Sequence, residues 1–228
     1  ISPDTELASE IGRVEAQIDN LLDEKIADST SNFTNSYAEE STTGKLIADC
    51  MRETAGTQIA LTNSGGIKAA IGEGPVTLRH LYEMLPFENT LVAIELSGWQ
   101  IENLIEEGLS GKTGLLQASG INCTYASSNP PGFRLMQIDV GEEPLEFNKT
   151  YSVAVNDFMY TNQHDWPELN LGRNPQVRGL VREGLEAYLR KAKTIEPDLT
   201  PRFNDPTGVD ETLRIQALSF ELAQLPQP

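Results

Sequence analysis

The stretch of sequence that decides the fold is Gln58-Ile-Ala-Leu-Thr-Asn-Ser-Gly-Gly-Ile-Lys68. Its first five residues are mostly apolar or β-branched, which predicts a short buried strand. The two glycines that follow tolerate positive φ and let a backbone come close to a ligand. Asn63 offers a donor and an acceptor, and Lys68 adds a cation. The pattern fits a polar or anionic ligand at a strand end or, alternatively, a tight strand-to-helix turn with a surface lysine.

The segments on either side alternate between helix and strand patterns without a regular βαβ rhythm, which predicts an α+β domain with a mixed sheet. Apolar residues at spacings of three and four predict the helices, and Ser or Thr residues cap several of them. The predicted helices are 4–26, 43–53, 77–85, 98–109, 176–193 and 210–225. The predicted strands are 58–62, 90–96, 134–140 and 150–155.

Charge and cysteine content exclude several function classes. The 228 residues carry 34 acidic and 17 basic side chains, a net charge of −17, which repels nucleic acid and anionic membranes. No apolar run approaches the ~18 residues of a membrane span. Cys50 and Cys123 are too few for a four-ligand zinc site. They predict two buried thiols or, alternatively, one disulfide.

The ends and the sequons bear on processing. The chain begins with Ile1 and shows no signal peptide, so we expect a processed form or a piece of a longer protein. Acceptor sequons at Asn32, Asn122 and Asn148 leave secretion open.

Two phenylalanines follow loop signals. Phe87 lies in Leu85-Pro-Phe-Glu-Asn89, and Phe158 follows a predicted strand in Asn156-Asp-Phe158. An exposed aromatic ring can stack on a nucleobase, which is worth roughly 1–3 kcal/mol per base; the alternative is a core phenylalanine.

The polar loop after Phe158 is a second candidate ligand rim. It contains His164 and Asp165, side chains that can hydrogen-bond to hydroxyl groups; the alternative is a purely structural loop. The chain has only one further histidine, His80, so the pair is weak evidence for a metal site. No serine-nucleophile or phosphate-loop motif occurs.

Taken in order, the motifs from about residue 38 to 203 resemble the C-terminal domain of the 5′-nucleotidase family, which includes UDP-sugar hydrolases and 2′,3′-cyclic phosphodiesterases. Each motif is short, and the ordered set carries the resemblance. The set comprises Glu40-Ser-Thr-Thr-Gly-Lys-Leu-Ile-Ala-Asp49, Thr62 to Lys68, Leu85 to Asn89, Leu96-Ser-Gly98, Leu115-Leu-Gln-Ala-Ser-Gly120, Gly132-Phe-Arg134, Tyr151-Ser-Val153, Asn156-Asp-Phe158, Ile195-Glu-Pro197 and Arg202.

The resemblance implies a nucleoside-binding domain of a two-domain hydrolase. Family members pair it with an N-terminal metallophosphoesterase domain that holds two divalent metals and the catalytic residues. By resemblance, two phenylalanines sandwich the base, an asparagine reads the base edge, and a basic residue contacts the nucleotide. The implied substrate-binding residues are Asn63, Gly65, Gly66, Lys68, Phe87, Asn89, Phe158, His164 and Asp165.

Three departures from the family pattern set the remaining expectations. The metal-binding motifs of the N-terminal domain are absent, so we expect no catalytic residue, metal or other cofactor in this chain and no phosphatase activity from it alone. Lys68 stands where the family usually has arginine, which loses the bidentate fork. The family's Gly-Gly-Asp-Gly-aromatic run is here Asn162-Gln-His-Asp-Trp166. Beyond these three departures, Tyr37 lies near the place of a further family arginine.

These considerations predict three segments: an interdomain-type helix over 1–27, a substrate-binding domain over 28–205 and a helical tail over 206–228. The partners implied by the resemblance are a nucleotide or nucleoside and the N-terminal catalytic domain, in the periplasm or outside the cell. A binding module that keeps the fold without nucleoside recognition is the alternative, favoured by the altered 162–166 loop.

Overall fold

A computed structural model of the protein describes residues 5–207. The helices run as follows: α1 Thr5–Leu22, α2 Thr42–Ala55, α3 Leu78–Met84, α4 Gly98–Leu109, α5 Asp157–Thr161, α6 Pro167–Asn170 and α7 Val181–Ala192. The strands are β1 Lys25–Ser29, β2 Ile59–Asn63, β3 Gly74–Thr77, β4 Thr90–Ser97, β5 Leu116–Ser119, β6 Ile121–Tyr125, β7 Leu135–Val140, β8 Glu143–Pro144, β9 Thr150–Asn156, β10 Arg173–Leu180, β11 Thr194–Ile195 and β12 Phe203–Asn204.

A five-stranded mixed sheet, in the order β10-β4-β9-β2-β5, forms the centre. Strand β9 runs parallel to β2 and antiparallel to β4. Two smaller sheets, β11-β1-β3 and β12-β6-β7-β8, flank it. This arrangement confirms the predicted α+β class with a mixed sheet.

The two faces of the central sheet carry side chains of different size. Ala60, Ala154 and Ala93 are register neighbours across β2, β9 and β4, and they share a core with Ile47 and Met51 of α2. Small side chains let a helix approach the sheet closely. Side chains alternate between the faces of a strand, so the larger residues face the other way, into a second core with α4. They are Ile59, Leu61, Val92, Ile94, Val153 and Val155.

Helix caps fix the ends of α2 and α4. Ser41 accepts a hydrogen bond from the Gly44 backbone N–H at 3.1 Å, and Ser97 forms a capping box with Gln100. Gly44 is required by close packing, because a Cβ there would collide with the side chain of Gln117. The predicted helices 43–53, 77–85 and 98–109 and the four predicted strands are confirmed, with small shifts at their ends.

Two of the helix boundaries predicted from the sequence are wrong. Helix α1 ends at Leu22, and Ile26 instead lies buried in strand β1, so the predicted limit at residue 27 falls inside that strand. The predicted helix 176–193 begins only at Val181, because residues up to Leu180 pair with β4. The positive φ of 97° at Gly179 is incompatible with helix there. The predicted helix 210–225 lies outside the described residues.

Cys50 and Cys123 are buried free thiols, which is the first of the two predicted alternatives and excludes the disulfide. Burial raises the pKa of Cys50 to about 12 and also raises that of Cys123, which keeps both thiols protonated and unreactive at neutral pH. Among residues 5–207, no helix combines the length and apolarity that a membrane crossing requires.

Candidate functional site

Seven of the nine predicted site residues line one open pocket of about 300 Å³. It is formed by loops at one edge of the central sheet. Strands β2 and β9 are parallel, so their carboxyl ends meet at this edge, and β4 begins there because Leu91 pairs with Asn156. The lining residues are Asn63, Gly65, Gly66, Lys68, Phe87, Asn89 and Phe158.

Neither phenylalanine of the pocket is a core residue. Phe87 is 50% exposed and Phe158 is 49% exposed, whereas Trp166 is 2% exposed. The ring of Phe158 lies edge-on to Trp166, with the centroids 6.0 Å apart and an interplanar angle of 70°, a favourable aromatic geometry. The buried indole therefore supports one wall of the pocket, a role that sequence reasoning did not assign to Trp166.

Lys68 gives the pocket a positive charge in an acidic protein. Its Nζ lies 5.6 Å from the ring centroid of Phe87, within the range of a cation–π contact. None of the seven lining residues is acidic, although the chain carries a net charge of −17. The local charge therefore suits a neutral or anionic ligand rather than a cation.

Asn63 lies at the end of β2, with only 6% of its surface exposed. Its Oδ1 accepts a hydrogen bond from Nδ2 of Asn156 at 2.9 Å. The same Nδ2 lies 3.1 Å from Oγ1 of Thr62, and the backbone N–H of Met159 donates to Oδ1 of Asn156 at 2.8 Å. Asn156 belongs to the sequence motif, but its role beneath Asn63 was not foreseen, because a buried amide network leaves no pattern in the sequence.

The structure does not bring His164 and Asp165 to this pocket. They line a separate cavity of about 530 Å³ beside Glu106 and Lys112. The cause is a short turn in which Asn162 Nδ2 donates to Oδ2 of Asp165 at 2.7 Å, and His164 Nδ1 lies 2.8 Å from Oδ1 of Asp165. The hydrogen bonds from His164 and then from Asn162 lower the pKa of Asp165.

Tyr37 is an additional neighbour of the glycine turn. A Cβ built on Gly65 would lie 3.4 Å from its ring, and its carbonyl accepts the backbone N–H of Leu115 at 3.0 Å. In the sequence, Tyr37 stands out only because it lies near the place of a missing family arginine. The structure places its half-exposed phenol ring next to the predicted site residue Gly65.

The residues present do not fit a two-metal centre. In the described range, no group of three or more His, Cys, Asp or Glu side chains could hold a metal ion. The pocket offers aromatic faces for stacking, amide groups for hydrogen bonding and one positive charge.

Comparison with known proteins decides the family. Residues 14–170 match the family described as 5′-nucleotidase, C-terminal domain. The chain belongs to this family.

The individual relatives are longer proteins. The chain is 38% identical over 135 residues to the trifunctional nucleotide phosphoesterase protein YfkN of Bacillus subtilis, which covers 53% of this chain and 9% of that protein. It is 30% identical over 201 residues to endonuclease YhcR of the same organism, with 86% and 16% covered.

A solved structure of a relative shares the fold of this chain over most of its length. The 5′-nucleotidase precursor from Thermus thermophilus superimposes with a TM-score of 0.78 at 33% identity, covering 90% of this chain and 44% of that one. The chain thus spans less than half the length of each of these three relatives.

Proposed function

We propose that this chain is the nucleoside-recognition domain of a 5′-nucleotidase-type hydrolase that cleaves nucleotide phosphate esters. The observation that carries the proposal is the pocket flanked by two half-exposed phenylalanines, with a buried asparagine at a strand end and a lysine beside it. Aromatic faces accept any nucleobase because every base has a π-face. The amide adds one directional contact, and Lys68 attracts the phosphate.

The proposal assigns the chemistry to a separate N-terminal metallophosphoesterase domain with two divalent metal ions. Helix α1 supports such a neighbour, because its apolar stripe is exposed. The residues concerned, between 43% and 61% exposed, are Leu7, Ile11, Val14, Ile18 and Leu21. Exposed stripes of this kind mark surfaces that bind another protein or domain. The proposal also places the protein outside the cytoplasm, in the periplasm or outside the cell, as the family resemblance implies.

Calorimetric titration of the chain with adenosine, uridine and AMP tests the recognition role. We expect binding of all three and a loss of roughly 5- to 100-fold in affinity for Phe158→Ala and for Phe87→Ala, because each removes one stacking face. Phe147→Ala is the matched control, since Phe147 is 58% exposed outside the pocket. Unchanged affinity in both pocket variants would overturn the proposal.

A second candidate is a binding module without nucleoside recognition. It is favoured by one observation: His164 and Asp165, the residues implied to reach the sugar, line another cavity. This candidate requires that the folded wild-type chain bind none of the three ligands.

A further inference from the structure

We infer that Asn156 is a positioning residue that holds the side-chain nitrogen of Asn63 toward the pocket, so that the site reads a hydrogen-bond acceptor on its ligand. The inference deepens the proposed function and rests on it. The ligand class it selects is a nucleobase that presents a ring nitrogen or carbonyl oxygen at this point.

The orientation of both amides follows from one backbone group. The N–H of Met159 can only donate, so the atom of Asn156 that lies 2.8 Å from it is the oxygen. The other terminal atom of Asn156 is therefore Nδ2, a donor. It lies 2.9 Å from Asn63, and the Asn63 atom facing it must accept, which makes that atom Oδ1. The opposite orientation would oppose two NH2 groups.

This leaves the nitrogen of Asn63 for the ligand. Within residues 5–207, no hydrogen-bond partner of Asn63 Nδ2 is present. Asn63 lines the pocket, whereas Asn156 lines a smaller adjoining cavity that shares Gly66, Phe87 and Asn89 with it. Asn156 is 3% exposed, and a buried amide held by hydrogen bonds cannot turn over without breaking all of them. Asn156 thus acts on the ligand by fixing the orientation of Asn63.

The consequence is a preference that depends on hydrogen-bond polarity. A ligand that places an acceptor opposite Asn63 completes the network, while one that places a C–H there leaves a buried N–H unpaired. Such a loss corresponds to about tenfold or more in affinity. Stacking of the base on the phenylalanine rings changes little when a C–H replaces a ring nitrogen. The contributions of stacking and of the Asn63 hydrogen bond can therefore be measured separately.

The test compares adenosine with its 1-deaza, 3-deaza and 7-deaza analogues, in each of which a C–H replaces one ring nitrogen. We expect one analogue to bind the wild-type chain about tenfold more weakly than adenosine. In Asn156→Asp, one carboxylate oxygen still accepts from Met159 and the other accepts from Asn63. Asn63 must then turn its oxygen toward the pocket, so the preference for adenosine over that analogue should vanish or reverse.

Two further variants make the test decisive. Thr62→Val is the matched control, because it removes the other acceptor of Asn156 Nδ2 and leaves the bond to Asn63 in place; its preference should stay as in the wild type. Asn63→Asp presents a carboxylate oxygen to the pocket and should abolish the preference. This variant keeps the inference testable if Asn156→Asp does not fold.

The outcomes distinguish the two proposals. Nucleoside binding that Phe158→Ala weakens, combined with a wild-type preference in a folded Asn156→Asp, overturns the inference and leaves the proposed function standing. The same holds if the preference persists in Asn63→Asp, or if no analogue binds more weakly than adenosine. Absence of nucleoside binding by the wild-type chain overturns both.

Discussion

Arg202 anchors the segment after α7 to the central sheet, and its replacement should destabilise the fold strongly. Its guanidinium donates two hydrogen bonds of 2.8 Å to the carboxylate of Asp49 on α2. It also donates to the carbonyl of Ala118 on β5 at 2.6 Å and to Asp198 at 2.9 Å. The side chains of Arg202 and Asp49 are 13% and 28% exposed, so water screens this pair only partly.

Arg202→Met keeps most of the side-chain volume and removes every one of these bonds. Losing one partner of a fully buried pair costs about 3–5 kcal/mol. Asp49 retains some solvent contact and a hydrogen bond of 2.5 Å from Ser119, which lowers our expectation to about 2–4 kcal/mol. With an m-value of about 2 kcal/mol/M, the urea midpoint should fall by about 1–2 M.

Urea unfolding followed by circular dichroism checks this value. Arg202→Lys is the matched control, because it keeps the charge but loses the fork, and its midpoint should lie between those of the wild type and Arg202→Met. A double-mutant cycle with Asp49→Asn should give a coupling above about 1 kcal/mol. An Arg202→Met midpoint within about 0.2 M of wild type would refute the anchoring role.

Two further predictions concern the pocket wall and the acid limit of stability. With Trp99→Phe as background, nucleoside binding should change the emission of Trp166, whose ring contacts Phe158. An additional Phe158→Ala should remove that change, and a persisting change would place the ligand elsewhere. Although burial opposes ionisation, hydrogen bonds from the Thr200 backbone and from Arg202 hold the pKa of Asp198 below its usual value. A lowered folded-state pKa stabilises the protein above the unfolded pKa of about 4 and less as pH falls through the folded value. The stability difference between wild type and Asp198→Asn should therefore shrink from about pH 6 to about pH 3 in urea titrations, and a constant difference would contradict this account.

The strand and turn around Asn63 could be predicted because local signals agree there. Apolar β-favouring residues lead directly into two glycines, and the structure has strand β2 followed by a 3-10 turn at Ser64–Gly66. Capping residues such as Ser97 marked helix starts for the same reason. These features depend on neighbours within a few residues, which a single sequence displays.

Two of the missed features depend on partners far apart in the chain, and a third depends on side-chain hydrogen bonds within one turn. Strand β10 forms because it pairs with β4, about 80 residues away, whereas its sequence from Gln176 onward predicts a helix. The placement of His164 and Asp165 follows from side-chain bonds within their turn, which spacing does not reveal. The orientation of Asn63 depends on Asn156, 93 positions further along the chain.

The most direct test of the central claim is a titration of the chain, labelled with 13C in its phenylalanine rings, with adenosine, observed by NMR. The account predicts that the ring signals of Phe87 and Phe158 shift together along one binding curve, because an aromatic base between them changes both local fields. The signals of Phe147, which lies outside the pocket, should stay in place. Saturable binding that leaves the Phe87 and Phe158 rings unshifted would contradict the account.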